Sequence, residues 1–201
     1  MAATADALAS SLVVSAGSEA RPFAPSFGRT LPPIGFVDFC GRNLSECEAV
    51  RADVRRAVLS AERWADLERV NSSVNASIEP VTDQELYAVP ERWDYPMGAG
   101  DCEDFVLLKK RHLEDLGFPP ESLLITVALD ERGDGHAVLT VATDRGDFIL
   151  DNRRSDVVRW SAASYRFLKR QSQADPRVWV ALSQAGKISM AGMAKAGSKQ
   201  K

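Results

Sequence analysis

From Leu123 to Leu150 apolar residues alternate along the chain, and two glycine-bearing turns cut the run into three lengths. Leu123, Ile125, Val127 and Leu129 form the first, Asp130-Glu131-Arg132-Gly133-Asp134-Gly135 interrupts, and His136-Ala137-Val138-Leu139-Thr140-Val141-Ala142 resumes the pattern. Asp144-Arg145-Gly146-Asp147 interrupts again before Phe148-Ile149-Leu150. Period-two alternation between Asp/Gly clusters reads as strand, turn, strand. Connections this short join antiparallel neighbours, so the segment predicts an antiparallel sheet. The pairing has a chemical consequence. The last strand runs into Asp151 beside the start of the second at His136, which sets a carboxylate next to an imidazole.

A second stretch supplies a partner for that pair. Gly98-Ala99-Gly100-Asp101-Cys102-Glu103-Asp104-Phe105 leads into a helix predicted from Cys102 to Leu116, with Gly117 as C-cap and Pro119-Pro120 beyond it. Phe105, Leu108, His112 and Leu116 share one face. A cysteine in the first helical turn meets unpaired backbone N–H groups and the positive end of the macrodipole, both of which favour thiolate. The same N–H groups suit an oxyanion forming on an attacked carbonyl. His112 and His136 are the only histidines. His112 lies ten residues along the same helix, about 15 Å away, too far to take a proton from Cys102. His136, oriented by Asp151, is the candidate base.

These blocks, Gly98-x-Gly100-Asp101-Cys102-Glu103-Asp104, Gly135-His136-Ala137-Val138-Leu139 and Ile149-Leu150-Asp151-Asn152, resemble the bacterial transglutaminase-like cysteine peptidases that include the LapG-type periplasmic proteases. The likeness runs from about Pro32 to about Leu182 and implies an α+β, papain-like core with the nucleophile helix packed on an antiparallel sheet. It also implies Cys102 as nucleophile, His136 as general base and Asp151 as its partner. Members bind calcium through acids flanking the nucleophile, here Asp101 and Glu103, and such a cation would offset the like charge that raises a thiol pKa. The plainer reading of Asp101 is a helix N-cap. LapG-type proteases clip surface adhesins and answer to membrane receptors, so the resemblance brings with it a periplasmic or secreted location, an adhesin substrate and a receptor as expectations. A thioacyl intermediate can pass to an amine instead of water, giving transglutaminase or amidase chemistry, and a binding module without catalysis is the other alternative.

The remaining sequence frames this core. Its 201 residues, 45% apolar, suffice for one domain. The net charge of −3 comes from interspersed signs, which disfavours a nucleic-acid partner. Residues 1–31 read as a leader, with alanines placed as in a signal cleavage site but no Lys or Arg before the short apolar run. Arg21 to Pro33 reads as an extended lead-in, and no stretch has the roughly 20 apolar residues of a membrane span. Cys40 and Cys47 would lie about 10 Å apart on one unbroken helix; a bend at Gly41 to Asn43 brings them into disulfide range. That pairing leaves Cys102 as the free thiol, against the alternative of two reduced, packed cysteines. Ser45-x-x-Glu48 fits a capping box, and Val50, Val54, Val58, Ala61, Leu67, Val70 and Val74 predict one long amphipathic helix from Glu46 to about Asn75. Trp93 and Tyr95, in the loop that arrives at the cysteine, are candidates for substrate contact, with Trp93 also considered as a second oxyanion donor; the alternative is that they cover the core. Val178 to Leu182 is expected as an edge strand, and residues 183–201 as a mobile tail.

Overall fold

The computed structural model describes residues 21–49 and 53–183; the expectations for residues 1–20 and 184–201 lie outside them. Elements follow in the order β1 (Arg29–Thr30), α1 (Ile34–Arg42), α2 (Ala61–Ser77), β2 (Glu79–Pro80), α3 (Asp83–Tyr87), β3 (Ala99–Gly100) and α4 (Cys102–Asp115). The second half is strands: β4 (Leu123–Leu129), β5 (Gly135–Thr143), β6 (Gly146–Leu150), β7 (Val158–Arg159), β8 (Arg166–Gln171) and β9 (Trp179–Ala181). Antiparallel pairing gives one sheet in the order β1-β9-β8-β4-β5-β6-β7. The α+β architecture agrees with the alternation read from sequence.

The expected meander is present, with Val127 opposite Ala137 and Leu139 opposite Leu150. One face of the sheet meets α4, which in turn packs against α2, and Phe105, Val106, Leu113, Ile125, Leu139 and Leu150 fill the space between. The other face carries Ala128, Val138, Ile149 and Phe167 under Ala24 and Trp160. Cover on both faces explains why β4 to β6 are buried almost end to end.

Three expectations need correction. There is no single helix from Glu46 to Asn75: Leu44–Cys47 is a short 3-10 turn, residues 53–60 are not helical, and α2 starts only after Ser60, which accepts from Arg63 N. The valine spacing misled because this segment alternates, burying Ala57 and Leu59 while exposing Val54 and Val58, and Ala57 bridges Thr143 at the sheet. The lead-in from Arg21 is part of the fold. Asp147 N donates to Pro22 O, Phe27 N donates to Ala181 O, and β1 covers β9, so β9 is an internal strand and not an edge. Finally, the buried stripe of α4 runs through Phe105, Val106, Lys109 and Leu113, while His112 and Leu116 are exposed.

The bend at Gly41 to Asn43 ends α1 and turns the backbone round. Cys40 and Cys47 are joined as a disulfide with Cα atoms 5.6 Å apart, and Cys102 is the free cysteine.

Candidate active site

The loop into α4 is held by a small parallel ladder. Glu79 N donates to Gly98 O at 2.8 Å and Val81 N to Gly100 O at 3.0 Å, which sets β3 and the helix start beside α3. Gly100 admits no side chain, since a Cβ there would lie 2.5 Å from Asp104 Oδ2. Asp104, packed against it, accepts from Asp94 N at 2.8 Å and so ties the loop holding Trp93 to the helix.

Cys102 sits in the first turn of α4, half-buried at the seam between helix and sheet. Its Sγ accepts from Ala137 N at 3.3 Å, and its thiol donates to Glu103 Oε2 at 3.2 Å. Burial pushes the thiol pKa well up, the charges of Glu103 and Asp101 add to that, and the Ala137 N–H works against it. As it stands, the turn holds a thiol.

His136 and Asp151 meet across the β5–β6 hairpin, fully enclosed, with Nε2 2.8 Å from Oδ1. Tyr165 donates its hydroxyl to Oδ2 at 2.5 Å, and Arg153 N donates to Oδ1 at 3.0 Å. Although burial raises the Asp151 pKa, the bonds from His136, Tyr165 and Arg153 outweigh it and hold the carboxyl at about 2. It is therefore an anion. With Nε2 engaged, Nδ1 of His136 is buried without a hydrogen-bond partner, and His136 lines the same cavity as Cys102.

Beneath Asp151, two asparagines one turn apart on α2 grip its backbone. Asn71 Oδ1 accepts from Asp151 N at 3.1 Å and from Lys109 Nζ at 2.8 Å, and its Nδ2 donates to Arg154 O at 2.9 Å and Ser155 O at 3.0 Å. Asn75 Nδ2 donates to Asp151 O at 2.9 Å and to Arg154 O at 3.0 Å. Lys109 is fully enclosed, and burial draws its pKa down to about 7.

On the other side of Cys102, Asp83, Asp101 and Glu103 bring carboxylate oxygens within 4.8 Å of one another. Asp101 holds the N-cap position, yet its side chain makes no capping bond to the helix. Oδ1 of Asp101, Oδ1 of Asp83 and Oδ2 of Asp104 are all buried without a hydrogen-bond partner. Burial raises Asp83 to about 6 and Asp104 to about 7, with the neighbouring Asp101 charge contributing to both. Hard, oxygen-rich and short of donors, this donor set fits a calcium ion better than it fits a simple helix cap.

The cavity at the site, about 210 Å³, is lined by Trp93, Cys102, Val127, His136, Ala137 and Lys169, together with Pro33, Pro90 and the acids Glu91, Asp101 and Glu103. Trp93 reaches it; its indole N–H donates to Glu91 Oε1 at 2.8 Å and is thus already engaged. Tyr95 is placed elsewhere. Its hydroxyl donates to Glu46 Oε2 at 2.8 Å, the Arg111 guanidinium lies 3.5 Å from its ring centre, and it packs on Phe39.

The family of bacterial transglutaminase-like cysteine proteinases matches residues 26–187. This chain belongs to that family. It is therefore a cysteine peptidase. Among solved structures it is similar to calcium-bound LapG from Legionella pneumophila at 28% identity and a TM-score of 0.51, covering 59% of this chain and 69% of that one. Two further structures of that LapG, one without a stated treatment and one EGTA-treated, match at 28% and 25% identity with TM-scores of 0.48 and 0.44. Each of these two covers 58% of this chain and 66% of that one. None of the curated proteins compared with the sequence matches it.

Four residues of the candidate site have no signature in sequence. Tyr165 and Asn71 reach Asp151 from other elements, Lys109 donates to Asn71 beneath it, and Asp83 reaches Asp101 across the short parallel ladder. Thr82-x-x-Glu85, which does form a capping box, fixes the start of α3 and with it Asp83, but marks only a helix start.

Proposed function

We propose that Cys102, His136 and Asp151 form the catalytic triad of a peptidase acting on polypeptide substrates through a thioacyl intermediate. What carries this reading is the division of labour at His136: Nε2 is bound to Asp151, Nδ1 has no hydrogen-bond partner, and the residue lines the cavity that holds the cysteine. In the reaction His136 Nδ1 takes the thiol proton, and Sγ adds to the substrate carbonyl. The tetrahedral oxyanion collapses, and His136 returns the proton to the departing amine. Water activated by the same nitrogen then releases the acyl group. Asp151, held as an anion, keeps the imidazole in the required tautomer and stabilises its charged form. The Cys102 N–H at the helix start is the oxyanion donor that this geometry offers.

Asp83, Asp101 and Glu103 are the residues that would hold calcium. A bound cation supplies positive charge beside the helix start and thereby favours the thiolate. The orphaned carboxylate oxygens and the likeness to calcium-bound LapG support this assignment. The disulfide supports an oxidising compartment such as the periplasm.

The test is the rate at which iodoacetamide alkylates Cys102, followed by mass spectrometry, in wild type, Cys102→Ala and His136→Ala, with calcium and with chelator. Fast alkylation that falls at least about tenfold in His136→Ala is expected. Alkylation no faster than that of a free thiol, and insensitive to His136, overturns the triad.

A further inference from the structure

The floor of the cleft is made by neighbours across the sheet. Ala137 on β5 is paired with Val127 on β4, and Val127 with Lys169 on β8, and all three line the cavity. Lys169 reaches this face because the strand is irregular. Ala128 pairs with Phe167 and Leu129 with Arg166, a register that would set Leu168 opposite Val127 and turn Lys169 to the far face with Thr126. A bulge between Val127 and Ala128 shifts the pairing by one residue, so that Lys169 stands opposite Val127. Bulges beside active sites serve to re-aim a side chain, and here the one re-aimed is a cation.

Lys169 is half-buried, and its Nζ donates to Leu31 O at 3.0 Å. Among the described residues no carboxylate lies within 4.0 Å of it. Of the acids that line the same cavity, Glu91 uses Oε1 for the Trp93 indole, and Asp101 and Glu103 belong to the cluster beside Cys102. The ammonium thus retains donors toward the cleft. It stands two strand spacings, about 10 Å, from Ala137, whose N–H touches the nucleophile. An extended peptide covers that span in about three residues.

We propose that Lys169 is a specificity-determining residue that binds a carboxylate on the substrate about three residues from the scissile bond. The proposal rests on the peptidase reading above and adds a substrate class to it: polypeptides with an acidic side chain, or a terminal α-carboxylate, at that distance.

Quenched fluorescent peptide pools with Glu, Gln or Lys fixed at each position in turn test it, beside pools ending in a free acid or an amide. Wild type is expected to cleave one Glu pool about tenfold faster than its Gln counterpart by kcat/KM. Lys169→Met loses that preference, and Lys169→Glu turns it toward Lys at the same position. Being ratios, these readouts do not depend on the folded fraction of a variant. A preference confined to the free-acid pools assigns the terminal carboxylate as the ligand. Equal cleavage of all Glu and Gln pools and of the free-acid and amide pools, or a carboxylate preference that survives in Lys169→Met, overturns the proposal while leaving the peptidase reading intact. No cleavage of any pool, together with alkylation of Cys102 at free-thiol rate, overturns both.

Discussion

Asp151 is the residue on which most of the site converges, accepting from His136, Tyr165 and Arg153 while its backbone is gripped by Asn71 and Asn75. Asp151→Asn is expected to lower kcat by about two to four orders of magnitude, because the imidazole loses both its orientation and the charge that stabilises its cation. The same residue gives a pH signature to stability. Its folded pKa, about 2, lies below the unfolded value, so its contribution of about 2 kcal/mol is present above about pH 4 and is lost as pH falls toward 2. Urea unfolding of wild type and Asp151→Asn at about pH 6 and about pH 3 checks this: the gap between them narrows in acid. Tyr165→Phe removes the bond to Oδ2 and should reduce kcat about threefold to tenfold with KM little changed, as measured by steady-state kinetics.

At the scale of elements, α2 works as a clamp whose effective surface is polar. Asn71→Leu leaves the buried Asp151 N–H, Lys109 and the carbonyl of Ser155 without the partner Asn71 gives them, and takes one of two donors from the carbonyl of Arg154. It should cost about 3 kcal/mol or more in denaturant titration, well beyond a Leu-to-Ala change on a surface. This element also shows where sequence reading stops. The strands from Leu123 to Leu150 were legible because their period is local and their turns are spelled in Gly and Asp, and the Asp151 placement followed from register alone. The start of α2 was misplaced because valines in an extended segment fell at helical spacing beside it, and the inner stripe of α4 was misread because a lysine occupies its centre. A buried Lys or Asn is defined by what faces it, and its partners here are 38 to 84 residues away in sequence. The three residues read as a triad, the pair of acids and the two cysteines lie in or beside strong local punctuation; Tyr165 does not, and the capping box beside Asp83 marks a helix start without pointing to Asp101.

For the whole molecule, two constraints beyond apolar packing bear on stability. The disulfide closes a loop with a sequence separation of 7, which in chain-entropy terms contributes about 2 to 3 kcal/mol. It also joins the two ends of the bend that carries α1, the helix whose Phe36 packs on Trp93 and whose Arg42 donates to Trp93 O at 2.7 Å. Cys40→Ser with Cys47→Ser should therefore lower the melting temperature by several degrees in scanning calorimetry. The acid cluster is the other constraint: calcium should raise the melting temperature of wild type, a chelator should reverse the rise, and Asp83→Asn should diminish it.

The lead-in that lies over the sheet has one more consequence. Because among the described residues Phe27 to Thr30 cover the outer side of β9, deleting residues 21–30 would strip Trp179–Ala181 of this neighbour and present an open row of backbone donors and acceptors to solvent. Such a shortened protein should keep Cys102, His136 and Asp151 in place but gather into oligomers by strand addition at that margin, visible as a concentration-dependent rise in scattering. The segment at the front of the described fold thus acts as a guard against self-association.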